Sequence, residues 1–85
     1  MLNQVILVGR VEDINLESNL IMLKISQRGT EDSYVNCIYP DSMYDTVNEY
    51  IYLEQVLGIK GRLETIENET IVKIDKISML TSGGN

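Results

Sequence analysis

Two kinds of side chain in this sequence are equipped for chemistry: tyrosines and cations. Tyr34 carries a flat ring on an extended segment, and Asn36 shares its face two residues on. Lys60 and Arg62 are also two apart on one predicted strand and share a face. Lys24 lies on another strand, and Arg10 follows Gly9. A ring that stacks a base, cations that follow phosphates and an amide that bonds a base or sugar are the parts of sequence-tolerant single-strand recognition. The competing reading is structural, with Tyr34 as packing and the strand lysines as edge protection.

Catalytic chemistry finds little support. Without histidine, the usual general base near neutral pH is missing. Cys37 is the only cysteine, so neither an internal disulfide nor a zinc site can be built from it. Its mid-strand position predicts a buried, inert thiol. Glu12-Asp13 and Glu31-Asp32 read as solvated turns, and the glycines form no phosphate cradle. The chain is therefore expected to have no catalytic residue, metal, cofactor or small-molecule substrate.

Seven basic and thirteen acidic residues give a net charge of −6. That balance argues against indiscriminate nucleic-acid binding, because phosphate contacts need cations. The acids fall mainly in predicted turns and on one helix, whereas the bases fall mainly on predicted strands. A basic sheet face on an acidic molecule is thus compatible with the composition, and its phosphate binding is expected to be weak and salt-dependent.

The elements that must position these residues are five strands and one helix. The strands are expected at 3–11, 20–27, 34–39, 55–65 and 70–79. In the third, Tyr34, Asn36 and Ile38 alternate with Val35, Cys37 and Tyr39. Pro40 ends that strand. Asp41 or Ser42 then caps a helix over 42–51, with Met43, Val47, Tyr50 and Ile51 at helical spacing. Tyr39 is expected in the core, Tyr50 at the barrel bottom, and Tyr44 and Tyr52 on the surface or at an interface. Lys73 and Lys76 read as edge or solvent residues. The order βββαββ predicts an all-β, five-stranded OB-fold barrel with one short helix between strands 3 and 4. A single domain over 1–80 and a frayed tail at 81–85 complete the expectation.

The opening Met1-Leu-Asn-Gln-Val-Ile-Leu-Val-Gly-Arg-Val11 resembles the first strand of the bacterial single-stranded DNA-binding protein family. So do Tyr34, the strand Val35–Tyr39, Asp45, Tyr50-Ile51 and Val56-Leu-Gly-Ile-Lys-Gly-Arg-Leu63, in the same order and spacing. The resemblance implies binding of single-stranded DNA without strong sequence preference, in replication, recombination or repair. Arg10 matches the family's Gly-Arg position, to reach phosphate or cap a carboxylate, and Tyr34 stands where a stacking residue does; with Lys24, Asn36, Lys60 and Arg62 they are the expected contacts. The resemblance also implies a homodimer or homotetramer joined through the first strand, where Val5, Ile6, Leu7 and Val8 are apolar on both faces.

The departures from that family are specific. Both long hairpin loops shrink to a few residues, at Arg28–Ser33 and Ile66–Glu69. The base-stacking tryptophans are missing, with Tyr34 in the place of one. The Lys-Gly turn after the helix becomes Tyr52-Leu53-Glu54, and Thr81–Asn85 reads as a stub of the family's glycine-rich, acidic-tipped linker or simply as an end, so a tailless member is expected. These departures favour the alternative of an OB-fold protein-interaction module that has lost nucleic-acid binding. No apolar run approaches the roughly 20 residues of a membrane span. A start without a secretory leader and a lone cysteine predict a cytoplasmic chain.

Overall fold

The computed structural model describes residues 3–29 and 31–81. Five strands, β1 (Val5–Asn15), β2 (Leu20–Ile25), β3 (Ser33–Ile38), β4 (Val56–Ile66) and β5 (Glu69–Met79), close into a barrel in the order β1-β2-β3-β5-β4. A 3-10 turn, Asp41–Met43, leads into a short helix, α1 (Tyr44–Tyr50), between β3 and β4. This is the expected OB architecture.

Closure depends on β1 serving two neighbours. Residues Val5–Arg10 pair with β4, and Arg10–Asn15 pair with β2. Gly9 permits the bend between these halves, since a Cβ there would stand 2.9 Å from the Lys24 carbonyl oxygen. A bulge between Val11 and Asp13 then resets the alternation, so that Val11 and Ile14 both pack inward. It also carries β1 to Asn15, beyond the expected end at Val11. At Gly61 the space is tighter still, because a Cβ would collide with the Lys73 carbonyl oxygen across β4 and β5. The β4–β5 ladder has its own bulge beside that glycine.

The turns follow local chemistry. The Asn15 side-chain oxygen accepts hydrogen bonds from the Glu17 and Ser18 amides at 3.0 and 3.1 Å, fixing the β1–β2 turn. Glu67 and Asn68 adopt φ of 51° and 68° between the paired residues Ile66 and Glu69, the backbone of a two-residue hairpin matched to strand twist.

The core is aliphatic, formed around Val11, Ile21, Leu23, Leu57, Ile59 and Val72, with Tyr39 as its largest member. Truncating a residue such as Leu23 to alanine costs about 2–5 kcal/mol at such sites. Val47 and Ile51, four apart, are buried in this core, and Met43, one turn earlier, packs against it. Tyr50 does not close the barrel bottom: it is 52% exposed, because a helix of two turns has room for one inward stripe and Val47–Ile51 occupy it. Neither Asp41 nor Ser42 caps by a side-chain hydrogen bond; Pro40 occupies the N-cap of the 3-10 turn, and Asp41 instead accepts from the Asn19 side chain at 2.6 Å.

The buried polar residue Gln55 ties the chain together. Its oxygen accepts from the Tyr52 amide at 2.9 Å, and its nitrogen donates to the Thr81 carbonyl at 3.1 Å. The Thr81 hydroxyl in turn accepts from the Val56 amide at 2.9 Å. Thr81, expected to fray, is therefore fastened to β4. Residues 82–85 of the expected tail, and Met1 and Leu2 of the opening motif, lie outside the described residues.

Closure between β3 and β5 is slight. The two strands run parallel and pair only at Cys37↔Val72 and Ile38↔Lys73.

Candidate nucleic-acid interface

Arg10, Lys24 and Tyr34 form one row across three strands. Arg10 is in register with Lys24, and Lys24 with Tyr34, so the three Cα atoms span about 10 Å at ordinary strand spacing. All three point away from the barrel, alternating with the inward Val11, Leu23 and Val35. Tyr34 is 55% exposed, which removes it from the core. The Arg10 guanidinium donates one hydrogen bond to the Glu54 carbonyl at 3.1 Å. Arginine has five N–H donors, so this contact anchors the group and leaves others facing outward. The anchor is itself held, since the Glu54 amide donates to the Val11 carbonyl at 2.8 Å and Glu54 takes a left-handed φ of 70°.

The next outward row joins Met22 and Asn36, with Asp13 at its β1 end. Leu20 and Ile38 follow. Met22, Leu20 and Ile38 are half-buried, giving an aliphatic floor beside the Tyr34 ring. Sequence reasoning did not single out this floor, although Leu20, Met22 and Lys24 carry its signal as alternate residues of one strand. Asp13 sets a carboxylate at the margin of this row.

Lys60 and Arg62 lie elsewhere. Lys60 pairs with Ile6 of β1, four residues along β4 from the partner of Arg10, or about 13 Å away. Arg62 pairs with Lys73, and its guanidinium contacts the Asp75 carboxylate at 3.4 Å. Lys73 is matched to Glu64 at 3.4 Å. The cations of this side of the barrel are therefore in part neutralised by its own acids. The structure brings four of the six expected contacts together, Arg10, Lys24, Tyr34 and Asn36, and sets Lys60 and Arg62 apart from them.

The expected interface strand also divides. Val5 and Leu7 pack against the core, whereas Ile6 and Val8 are 73% and 56% exposed. The β1 edge over Val5–Gly9 faces β4 on one side and has no strand on the other among the described residues.

Cys37 is fully buried, and burial pushes its thiol up to about 12. A thiol so far from ionisation is a poor nucleophile near neutral pH. The buried Tyr39 hydroxyl has no hydrogen-bond partner among the described residues. Burial raises its pKa, and Tyr44 and Asp41 add to the shift. No cluster of metal-ligating side chains occurs among the described residues, and none of their helices is long and apolar enough to cross a membrane.

An exposed ring, two cations in register and an aliphatic floor share one face of strands β1 to β3 in this OB barrel. Solved structures share the fold. Rim1, a mitochondrial single-stranded DNA-binding protein from S. cerevisiae, superimposes with a TM-score of 0.84 at 11% identity, covering 98% of this chain and 99% of that one. The N-terminal domain of PriB from Thermoanaerobacter tencongensis, a dimeric structure, gives 0.73 at 18% identity, covering 94% and 98%. A chain of the S. pombe Stn1–Ten1 complex gives 0.71 at 12% identity, covering 93% and 59%. No family model and no curated protein sequence matches. At these identities the likeness establishes the fold.

Proposed function

We propose that this protein binds single-stranded DNA without strong sequence preference, through the outward face of β1, β2 and β3. The observation that carries this reading is the register that sets Arg10, Lys24 and Tyr34 in one row. A base stacks on Tyr34, contributing about 1–3 kcal/mol. A neighbouring base lies on Met22 and Ile38, with Asn36 in hydrogen-bonding reach of its edge. Arg10 and Lys24 take the flanking phosphates. The resemblance to bacterial single-stranded DNA-binding proteins supports a role in DNA replication, recombination or repair. An enzyme is not supported, since the site has no general base or nucleophile.

Two copies join through the free β1 edge over Val5–Gly9, making a continuous sheet across a twofold axis. A dimer presents two weak nucleic-acid faces to one strand, and linkage between them raises the overall affinity.

Titration of a fluorescent oligo-dT of about 30 nucleotides, at low and physiological salt, tests the reading. Two phosphate contacts per face predict a slope of log K against log salt of about −1.4 per face engaged. Absence of binding at low salt by the folded protein would refute it. The alternative, an OB-fold protein-interaction module, would then stand. It is favoured by the 29–59 segment, which has acids at Glu31, Asp32, Asp41, Asp45, Glu49 and Glu54 and no base.

A further inference from the structure

The outer face of β1, β4 and β5 carries charges that neither nucleic-acid binding on β1–β3 nor edge pairing of β1 employs. Lys60 and Lys76 stand directly opposite each other across β4 and β5. Both are exposed, and neither has an ion-pair partner among the described residues. Like charges facing each other across an antiparallel pair are destabilising. The adjoining cations Arg62 and Lys73 each have an acid; these two do not.

Beside the lysines the surface is apolar and hollow. Ile6 is in register with Lys60, and Val8 with Gly58. Together with Leu80 and Ser78 they line an open groove of about 310 Å³. Ile6, Val8 and Leu80 are each more than half exposed. Gly58 keeps the floor low, since a side chain there would rise against Leu80 and Ser78, whose nearest atoms stand 3.7 Å from its Cβ position.

We propose that this groove docks an acidic, apolar peptide segment of a partner protein. An apolar side chain enters between Ile6, Val8 and Leu80, and a neighbouring carboxylate bridges the Lys60 and Lys76 ammonium groups. The bridging anion relieves the repulsion between the lysines and gains two charge-assisted hydrogen bonds. Nucleic acid fits less well, because the groove walls are aliphatic and hold no ring for a base to stack upon. A second copy laid face to face with the twofold axis through the lysines would press one lysine pair against the other.

The test uses the full chain and a fluorescein-labelled octapeptide of alternating Leu and Asp, with an Asn-for-Asp twin, read by fluorescence polarisation. The acidic peptide binds saturably, and its twin binds about tenfold more weakly. Lys60→Glu with Lys76→Glu weakens the acidic peptide by about tenfold or more, with the melting temperature and sedimentation coefficient unchanged. Leu80→Ser, which leaves both lysines and the β1 edge in place, also weakens it. Equal binding of the twin, no binding of the acidic peptide, or undiminished binding by a folded lysine variant would overturn the proposal. So would displacement of the peptide by oligo-dT, which would assign the groove to nucleic acid, or dissociation of a dimer by Leu80→Lys, off the β1 edge, which would assign it to a second copy. Oligo-dT binding through Tyr34, measured in parallel, reports on the nucleic-acid face separately.

Discussion

The two flanks of this barrel use the same residue types to opposite ends. On β1 to β3, Lys24 has no acid bound to it among the described residues, Arg10 is anchored to a main-chain carbonyl, and Tyr34 stands beside them in register. On β4 and β5, Arg62 is held by Asp75 and Lys73 by Glu64, Lys60 and Lys76, unpaired among the described residues, face each other, and no aromatic ring intervenes. A count of bases treats these cations alike. Their availability to a polyanion differs because exposed charges already paired must give up a partner before gaining another. Overall charge is thus a poor guide to what either flank binds.

The sharpest way to break this comparison is charge reversal on the open flank. Arg10→Glu with Lys24→Glu is expected to weaken oligo-dT binding about 100-fold at low salt, through loss of two phosphate contacts and added repulsion. Anisotropy titration measures it, and unchanged affinity would remove this row from the interface. Next in size, Tyr34→Ala is expected to cost about tenfold in affinity. Because the ring is exposed, stability should stay within about 0.5 kcal/mol in urea titration. A large stability loss would return Tyr34 to a packing role.

A third measurement probes the strand where the flanks meet. Cys37 pairs with Ile21 of β2 and Val72 of β5. Its folded pKa is raised to about 12, above the ordinary thiol value of about 9. The unfolded chain therefore loses that proton first as pH rises. The thiol's contribution is fully present below pH ~9 and is lost between ~9 and ~12, by up to about 1.4 kcal/mol per pH unit. Denaturation of the native protein and Cys37→Ala across pH 8 to 10.5 reads this as a steeper decline in the native protein. The smallest effect belongs to the paired flank: Arg62→Glu with Lys73→Glu should change oligo-dT affinity less than about threefold, since each charge removed was already matched.

Much of the fold was legible because its signals are local. Alternation in β3 sorted Tyr34 and Asn36 from Cys37 and Tyr39, Pro40 stopped the strand, and the polar Glu67-Asn68 pair marked a hairpin. The site was legible only in part. Spacing showed that Lys60 and Arg62 share a face, but which flank that face occupies follows from the bend at Gly9 and from closure of β3 upon β5, both set by distant residues. The Arg62–Asp75 and Lys73–Glu64 pairs likewise depend on cross-strand register around the β5 bulge. Tyr50 misled because helical spacing alone does not reveal that Val47 and Ile51 already fill the inner stripe of so short a helix.

The brief parallel contact between β3 and β5 makes the barrel a ring with a clasp. Its halves are distant in the chain, so the loop entropy of joining them must be overcome for the return of two paired positions. The hairpin β4–β5 and the ladder β1–β2 can form before that step, which makes the clasp the last part to fasten and the first to release. Amide hydrogens around Cys37–Ile38 and Val72–Lys73 should accordingly exchange through small openings, while those of the β4–β5 ladder wait for global unfolding. Ile38 belongs to both the clasp and the floor beside Tyr34, so a strand seated on that floor would also hold the ring shut.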